Sequence, residues 1–215
     1  MVEAGDYILP PFLLSSLMHQ NLPKHFISPE EQLLDSYRLA MQIWQDGFRP
    51  DYIVGLWRGG SPVGIVVQDC FDWLGHASDH ISLRTSYRGL PSYEQMIDHA
   101  GDIRVHGTQY LWENMNADDS LLIVDDVQSS GLNIQAVIAR LRQKLRRNMP
   151  RDVRVAVTWN RPASNRSGRS PDYAVHETED WLVFPYELQG LEEEEIRQHK
   201  PCVHDLAAAL GDSIQ

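Results

Sequence analysis

Cysteine is scarce: Cys70 and Cys202 are the only two in 215 residues, far apart and in no metal-ligand spacing. That argues against a disulfide framework or a cysteine zinc site, and the pair reads as reduced thiols of a cytoplasmic protein. No apolar run approaches the roughly 20 residues a spanning helix needs. The N-terminus lacks the basic-then-apolar order of a signal peptide, so secreted and membrane classes are not expected. Basic charge is short as well, with 19 Lys+Arg against 30 Asp+Glu and a formal net charge of −11. Such a chain is not drawn as a whole to nucleic acid or to an anionic membrane, although a local basic site is compatible with it. The nine histidines show no paired metal spacing. Internal repeats and low-complexity linkers are also missing.

What is present suffices for a core without staples, since a chain of this length buries well over half of its unfolded surface. Residues 1–27 mix apolar and turn residues, and Pro10-Pro11 forbids a continuous helix. They read as an N-terminal arm whose Phe12, Leu13, Leu14, Leu17 and Met18 suit packing onto the body or a second subunit. Ser28-Pro29-Glu30-Glu31 is a helix start, with Ser28 as cap and Glu31 closing a capping box. The stripe Leu33, Leu34, Tyr37, Ala40, Met41, Trp44 predicts the buried face of that helix, which Gly47 ends. Strands are predicted over 51–57, 80–87, 120–126, 153–159, 172–177 and 181–187, the last cut short by Pro185. Helical patterns run from Val63 to Leu74 and from Ile134 to Leu145, and the stretch from 88 to about 116 has little periodicity. Strands alternating with helices predict an α/β fold, a central, mainly parallel sheet flanked by helices. The domain is expected over 28–190, and 191–215 read as an acidic helical tail.

The chemistry concentrates in LLIVDDVQSSGLN, residues 121–133. A buried strand ends in Asp125-Asp126, and a turn of Gln128, Ser129, Ser130 and Gly131 opens a helix. That turn offers N–H groups and hydroxyls to a phosphate, aided by the helix dipole. Two carboxylates beside it would repel the same phosphate unless they bind hydroxyls or a cation. A phosphorylated sugar satisfies both demands, its diol donating to Asp125 and Asp126.

The segment resembles the phosphoribosyl-pyrophosphate signature of type I phosphoribosyltransferases, nearest to the hypoxanthine–guanine and xanthine–guanine enzymes and their bacterial and archaeal relatives. The resemblance covers roughly residues 28–188 and implies a small hood from the late elements near 160–190. It implies that Asp125 and Asp126 bind the ribose 2′- and 3′-hydroxyls, while residues 128–131 and Asn133 wrap the 5′-phosphate. GLWRGGSP (55–62) is similar to the pyrophosphate loop, with Arg58 supplying charge, Gly59 and Gly60 close backbone approach, and a cis peptide implied at Arg58–Gly59. Ser86 and Tyr87 resemble the start of the family's long loop, with 101–105 as its return strand; a tyrosine in an exposed hairpin is the plain alternative. Arg161 stands where the purine enzymes place a lysine that contacts the 6-oxygen, unless it is one more surface arginine beside Arg166 and Arg169. Trp181 would stack on the base, or else fill a core. Leu182 would read the 2-substituent through its main chain.

The implied cofactor is Mg²⁺, near Asp125 and Glu187. The implied partners are phosphoribosyl pyrophosphate and a purine-like base, in a homodimer or homotetramer that binds neither nucleic acid nor membrane. The implied reaction moves 5-phosphoribosyl to hypoxanthine, guanine or xanthine. One departure bears on this: Ser129 replaces the aspartate usual near purine N7, and serine is no general base near neutral pH without activation. The rival readings are a non-catalytic phosphoribosyl-pyrophosphate or nucleotide sensor, and a transferase for a non-purine base.

Overall fold

The computed structural model describes residues 23–87 and 103–209, which fall into two compact units. The larger is Glu30–Glu179; the described part of the smaller comprises 23–29 and 180–209. The element order is β1 (Lys24–Phe26), α1 (Pro29–Gln45), β2 (Tyr52–Trp57), α2 (Gly60–Trp73), β3 (Asp79–Tyr87), β4 (Ile103–His106), α3 (Gln109–Asn114), β5 (Ser120–Gln128), α4 (Leu132–Leu145), β6 (Asp152–Asn160), β7 (Tyr173–Glu177), β8 (Trp181–Val183), α5 (Glu193–His199) and α6 (Pro201–Ala209).

Six strands form the sheet of the larger unit in the order β4-β3-β2-β5-β6-β7, all parallel except β4, which runs antiparallel to β3 at one edge. The mainly parallel α/β architecture is as expected. Along β5 the side chains alternate between two cores, as the two-residue period of a strand requires. Leu121 and Ile123 pack with Ile134, Val137 and Leu141 of α4; Leu122 and Val124 pack with Leu39 and Ile43 of α1 and Val63 and Val67 of α2.

Helix α1 corrects one expectation. Leu33, Leu34, Tyr37 and Met41 are exposed, at 48%, 49%, 40% and 36%. The buried face is instead Gln32, Asp35, Ser36, Leu39, Ala40 and Ile43. Two of its polar members, Asp35 and Ser36, are buried with partners that periodicity cannot reveal, while Nε2 of the third, Gln32, has none among the described residues. Ser36 Oγ donates to Gln32 O at 2.8 Å, Arg38 Nη1 donates to Asp35 Oδ1 at 2.8 Å, and His176 Nε2 of β7 lies 3.0 Å from Asp35 Oδ2.

In the smaller unit, β1 pairs in parallel with β8, a strand that the sequence of the arm did not announce. Phe26 stacks on His199 at 3.8 Å, Lys24 pairs with Glu195 at 2.7 Å, and the buried Lys200 donates to Phe184 O at 2.7 Å. Burial lowers the Lys200 ammonium pKa. Helices α5 and α6 follow, and α5 opens on a capping box from Glu192 and Glu195. Among the described residues no helix is long and apolar enough to cross a membrane.

Candidate active site

Strand order changes direction between β2 and β5: the chain goes from β2 outward to β3 on one side, and from β5 outward to β6 and β7 on the other. In an open α/β sheet ligands bind in the crevice beyond the strand ends at such a point. Both loops singled out in the sequence open there, Arg58–Gly60 after β2 and Ser129–Gly131 after β5.

The loops are joined by contact. A Cβ on Gly60 would stand 2.3 Å from Val124 O, 2.9 Å from Asp125 Cα and 3.1 Å from Asp125 Oδ1. The Gly60 N–H donates to the Asp125 carboxyl, and Asp126 N donates to Asp125 Oδ1 at 3.1 Å. Asp126 Oδ1 in turn accepts from Val127 N at 2.8 Å. Withdrawal from water pushes the Asp125 carboxyl well above the usual carboxylate range, and the adjacent Asp126 adds to it; the N–H donors oppose the rise. A hydroxyl donor or a cation beside Asp125 would oppose that rise by favouring the ionised carboxylate. Arg58 is exposed at the crevice, and Ser61 Oγ of the first turn of α2 lies 2.9 Å from Ser82 Oγ. The cis peptide is Trp57–Arg58, not Arg58–Gly59. β2 ends at Trp57, so the cis bond joins the last residue of the strand to the loop, one position earlier than the sequence suggested.

The β5 turn is shorter than expected, because the strand extends to Gln128 and α4 begins at Leu132. Gly131 has φ 72°, in the left-handed region that favours glycine. Behind the turn lies a brace that sequence reasoning missed. Arg166 N and Ser167 N both donate to Ser130 O, at 2.9 and 3.1 Å, and the Gln128 amide donates to Arg169 O at 2.6 Å. The loop's density of Asn, Ser, Gly and Pro was the available signal. Ser130 Oγ accepts from Leu132 N at 3.4 Å, and Asn133 is half-buried in the first turn of α4. No acceptor among the described residues takes the N–H of Ser129, Ser130 or Gly131.

Arg161 follows β6. It is 8% exposed, with Nη1 donating to Ser129 Oγ at 3.4 Å and Nη2 to Glu179 O at 3.1 Å. The surface alternative for Arg161 is thus removed. Ser86 and Tyr87 end β3, two and three positions past the residue paired with Trp57, and Ser86 Oγ meets His106 Nε2 of β4 at 2.8 Å. The expected return strand is β4, while the long loop itself lies outside the described residues. Trp181 and Leu182 belong to β8 of the smaller unit, half-buried and buried. There Glu187 Oε2 accepts from Phe184 N at 3.0 Å.

A family model described as a phosphoribosyl transferase domain matches residues 30–191. The chain belongs to this family. Its fold is similar to that of a purine phosphoribosyltransferase from Pyrococcus horikoshii, at 20% identity and TM-score 0.56, covering 78% of this chain and 95% of that one. It is also similar to Helicobacter pylori xanthine-guanine-hypoxanthine phosphoribosyltransferase, at 17% identity and TM-score 0.58, covering 82% and 99%. A third similar structure is a Neisseria gonorrhoeae protein with bound ppGpp, at 17% identity and TM-score 0.61, covering 85% and 98%. No curated protein matches the chain. In this phosphoribosyl transferase domain the family match covers both crevice loops, the acidic pair and Arg161.

Proposed function

We propose that the protein transfers 5-phosphoribosyl from phosphoribosyl pyrophosphate to a purine-like base and releases pyrophosphate. One observation carries the reading: Gly60 lies against Asp125, so a glycine-rich loop, two carboxylates and a turn of open N–H groups converge at one switch point. Asp125 and Asp126 accept hydrogen bonds from the ribose hydroxyls. The Ser129–Gly131 turn and the N-terminus of α4 hold the 5-phosphate. Arg58 and the backbone at Gly59 and Gly60 hold the pyrophosphate, whose negative charge grows as the anomeric C–O bond breaks. Donors aimed at that charge before the reaction lower the barrier without later reorganisation. No side chain acts as nucleophile; alignment of base and sugar supplies much of the remainder.

Mg²⁺ suits the larger unit's donor set, because carboxylate oxygens are the hard ligands it takes and a cation beside Asp125 would oppose the upward shift that burial imposes on its carboxyl. Asp125 would hold it, and when bound it neutralises charge on the pyrophosphate. The folds shared with purine and xanthine-guanine-hypoxanthine phosphoribosyltransferases support a purine-like acceptor. The free thiols of Cys70 and Cys202 support a cytoplasmic setting.

A second reading, a nucleotide sensor, is favoured by Ser129 in the place of a proton-accepting acid and by the ppGpp held in the Neisseria protein. The test is pyrophosphate release from phosphoribosyl pyrophosphate and Mg²⁺ with hypoxanthine, guanine or xanthine. Turnover that falls at least about 100-fold in Asp125→Asn/Asp126→Asn supports the transferase. Tight binding of phosphoribosyl pyrophosphate without turnover on any base would establish the sensor instead.

A further inference from the structure

We infer that the acceptor is a heterocycle that reacts as its ring anion and that Arg161 selects it. This deepens the transferase reading and rests on it.

The guanidinium is always charged, and burying it without an opposite charge is costly. Arg161 is 8% exposed, yet both partners of its side chain are neutral, the Ser129 hydroxyl and the Glu179 carbonyl. Its Nε is buried with no partner, and none of the ion pairs among the described residues includes it. The nearby acids are turned elsewhere: Glu179 Oε1 accepts from Ala163 N at 2.8 Å and Glu177 Oε1 from Asn160 Nδ2 at 3.1 Å. A nine-tenths-buried cation at the end of a central strand, with an unused donor, is a place for an anion.

The substrates offer three anions: the 5-phosphate, the pyrophosphate, which the transferase reading places at Arg58–Gly60 after β2, and an ionised acceptor. The guanidinium touches the Ser129 side chain and reaches to Glu179, past the end of β7, whereas the open N–H groups of the turn belong to β5. That position favours the acceptor. The chemistry agrees. When a neutral heterocycle forms its N–C bond to the anomeric carbon, it must lose a ring proton, and Ser129 cannot take it. A ring anion needs no such group. Its nitrogen lone pair forms the N–C bond, the C–O electron pair leaves with pyrophosphate, and the ring ends neutral with no net proton lost. The serine and the uncompensated arginine are answered by one substrate property.

Guanine and 8-azaguanine share an outline, but the aza compound has the more acidic ring proton. With the wild-type protein, kcat/KM is expected to favour 8-azaguanine by at least about tenfold near neutral pH, the worth of a charge-assisted bond. The ratio should rise with pH as that ring ionises. Taking guanine as reference at each pH cancels titration of Asp125, Asp126, Glu177, Glu179 and His176. Arg161→Gln should bring the ratio to about one with little change in the KM for phosphoribosyl pyrophosphate, and Arg161→Lys should keep most of the preference. A wild-type ratio near one, flat with pH, overturns the inference even if Arg161→Gln fails to fold. So does an Arg161→Gln effect confined to the KM for phosphoribosyl pyrophosphate. Binding of phosphoribosyl pyrophosphate with no product from any base overturns the transferase reading itself, and the inference falls with it.

Discussion

Arg161 and Ser129, on neighbouring strand ends, meet through Nη1 and Oγ at 3.4 Å. Both depart from the residues usual in the purine enzymes, and the structure makes them one local pair. Ser129→Asp would give the buried guanidinium a carboxylate within reach and take its charge away from the ligand. The expected result is a preference shifted at least about tenfold toward neutral bases such as hypoxanthine, read from kcat/KM over a base panel.

The contact of Gly60 with β5 leaves no room for a side chain, because the clashing atoms are backbone. Gly60→Ala is expected to cost about 1–3 kcal/mol in urea unfolding, as overpacking does, and to raise the KM for phosphoribosyl pyrophosphate. An unchanged KM would show that the loop does not hold the pyrophosphate.

At Gly131 two separate obstacles can be told apart. A Cβ there would stand 2.4 Å from Ser167 Oγ, and φ is +72°. Gly131→Ala should lose at least about 1 kcal/mol, the cost of a left-handed residue. Adding Ser167→Ala should recover most of the steric part and leave the backbone part; because the Ser167 hydroxyl also bonds Asn165 Oδ1 and accepts from Arg169 N, thermal melts are compared with Ser167→Ala alone as the reference.

On α1, Asp35 is fully buried against Arg38 and His176 while Leu33 is half exposed. Losing hydrogen bonds made by a charged group typically costs about 1.5–3 kcal/mol, whereas exposed positions move stability by about 0.5 or less. Asp35→Ala should therefore unfold at far lower urea than Leu33→Ala. The reverse order would restore the apolar stripe as the inner face.

That helix marks the limit of what could be read from sequence. Its existence and ends were legible, but two faces carried helical spacing, and the one chosen by counting apolar residues is the outer one. The inner face is polar at Gln32, Asp35 and Ser36, stabilised in part by a histidine about 140 positions away on β7. Long elements with one clear period, β5 and α4 above all, were found nearly residue by residue. The three-residue β1 and the short α3 were not, since neither spans enough residues to show a period. At the site, residue types were legible while contacts were not: Ser129 and Arg161 stood out singly, and the brace through Ser167 depends on a loop returning from another strand.

His80 gives a pH dependence. Its Nε2 is buried without a hydrogen-bond partner, and a Cβ on Gly64 would come within 2.8 Å of it. Burial lowers its pKa below 6.5, against a smaller opposing effect of Asp79. The unfolded chain then binds the proton at higher pH than the folded one. This contribution is complete above about pH 6.5 and is lost as pH falls toward the depressed folded value. Urea midpoints should drop between about pH 8 and pH 5.5, and part of that drop should vanish in His80→Asn.

Because Ser130 O is tied from behind by two N–H groups, the bend proposed to hold the 5-phosphate is fixed by contacts of the fold itself. Ordering a loop upon association consumes affinity, and here that expense is met during folding. Recognition of the sugar phosphate becomes a docking event, so variants of the brace should reveal themselves through weaker capture before any slowing of bond cleavage.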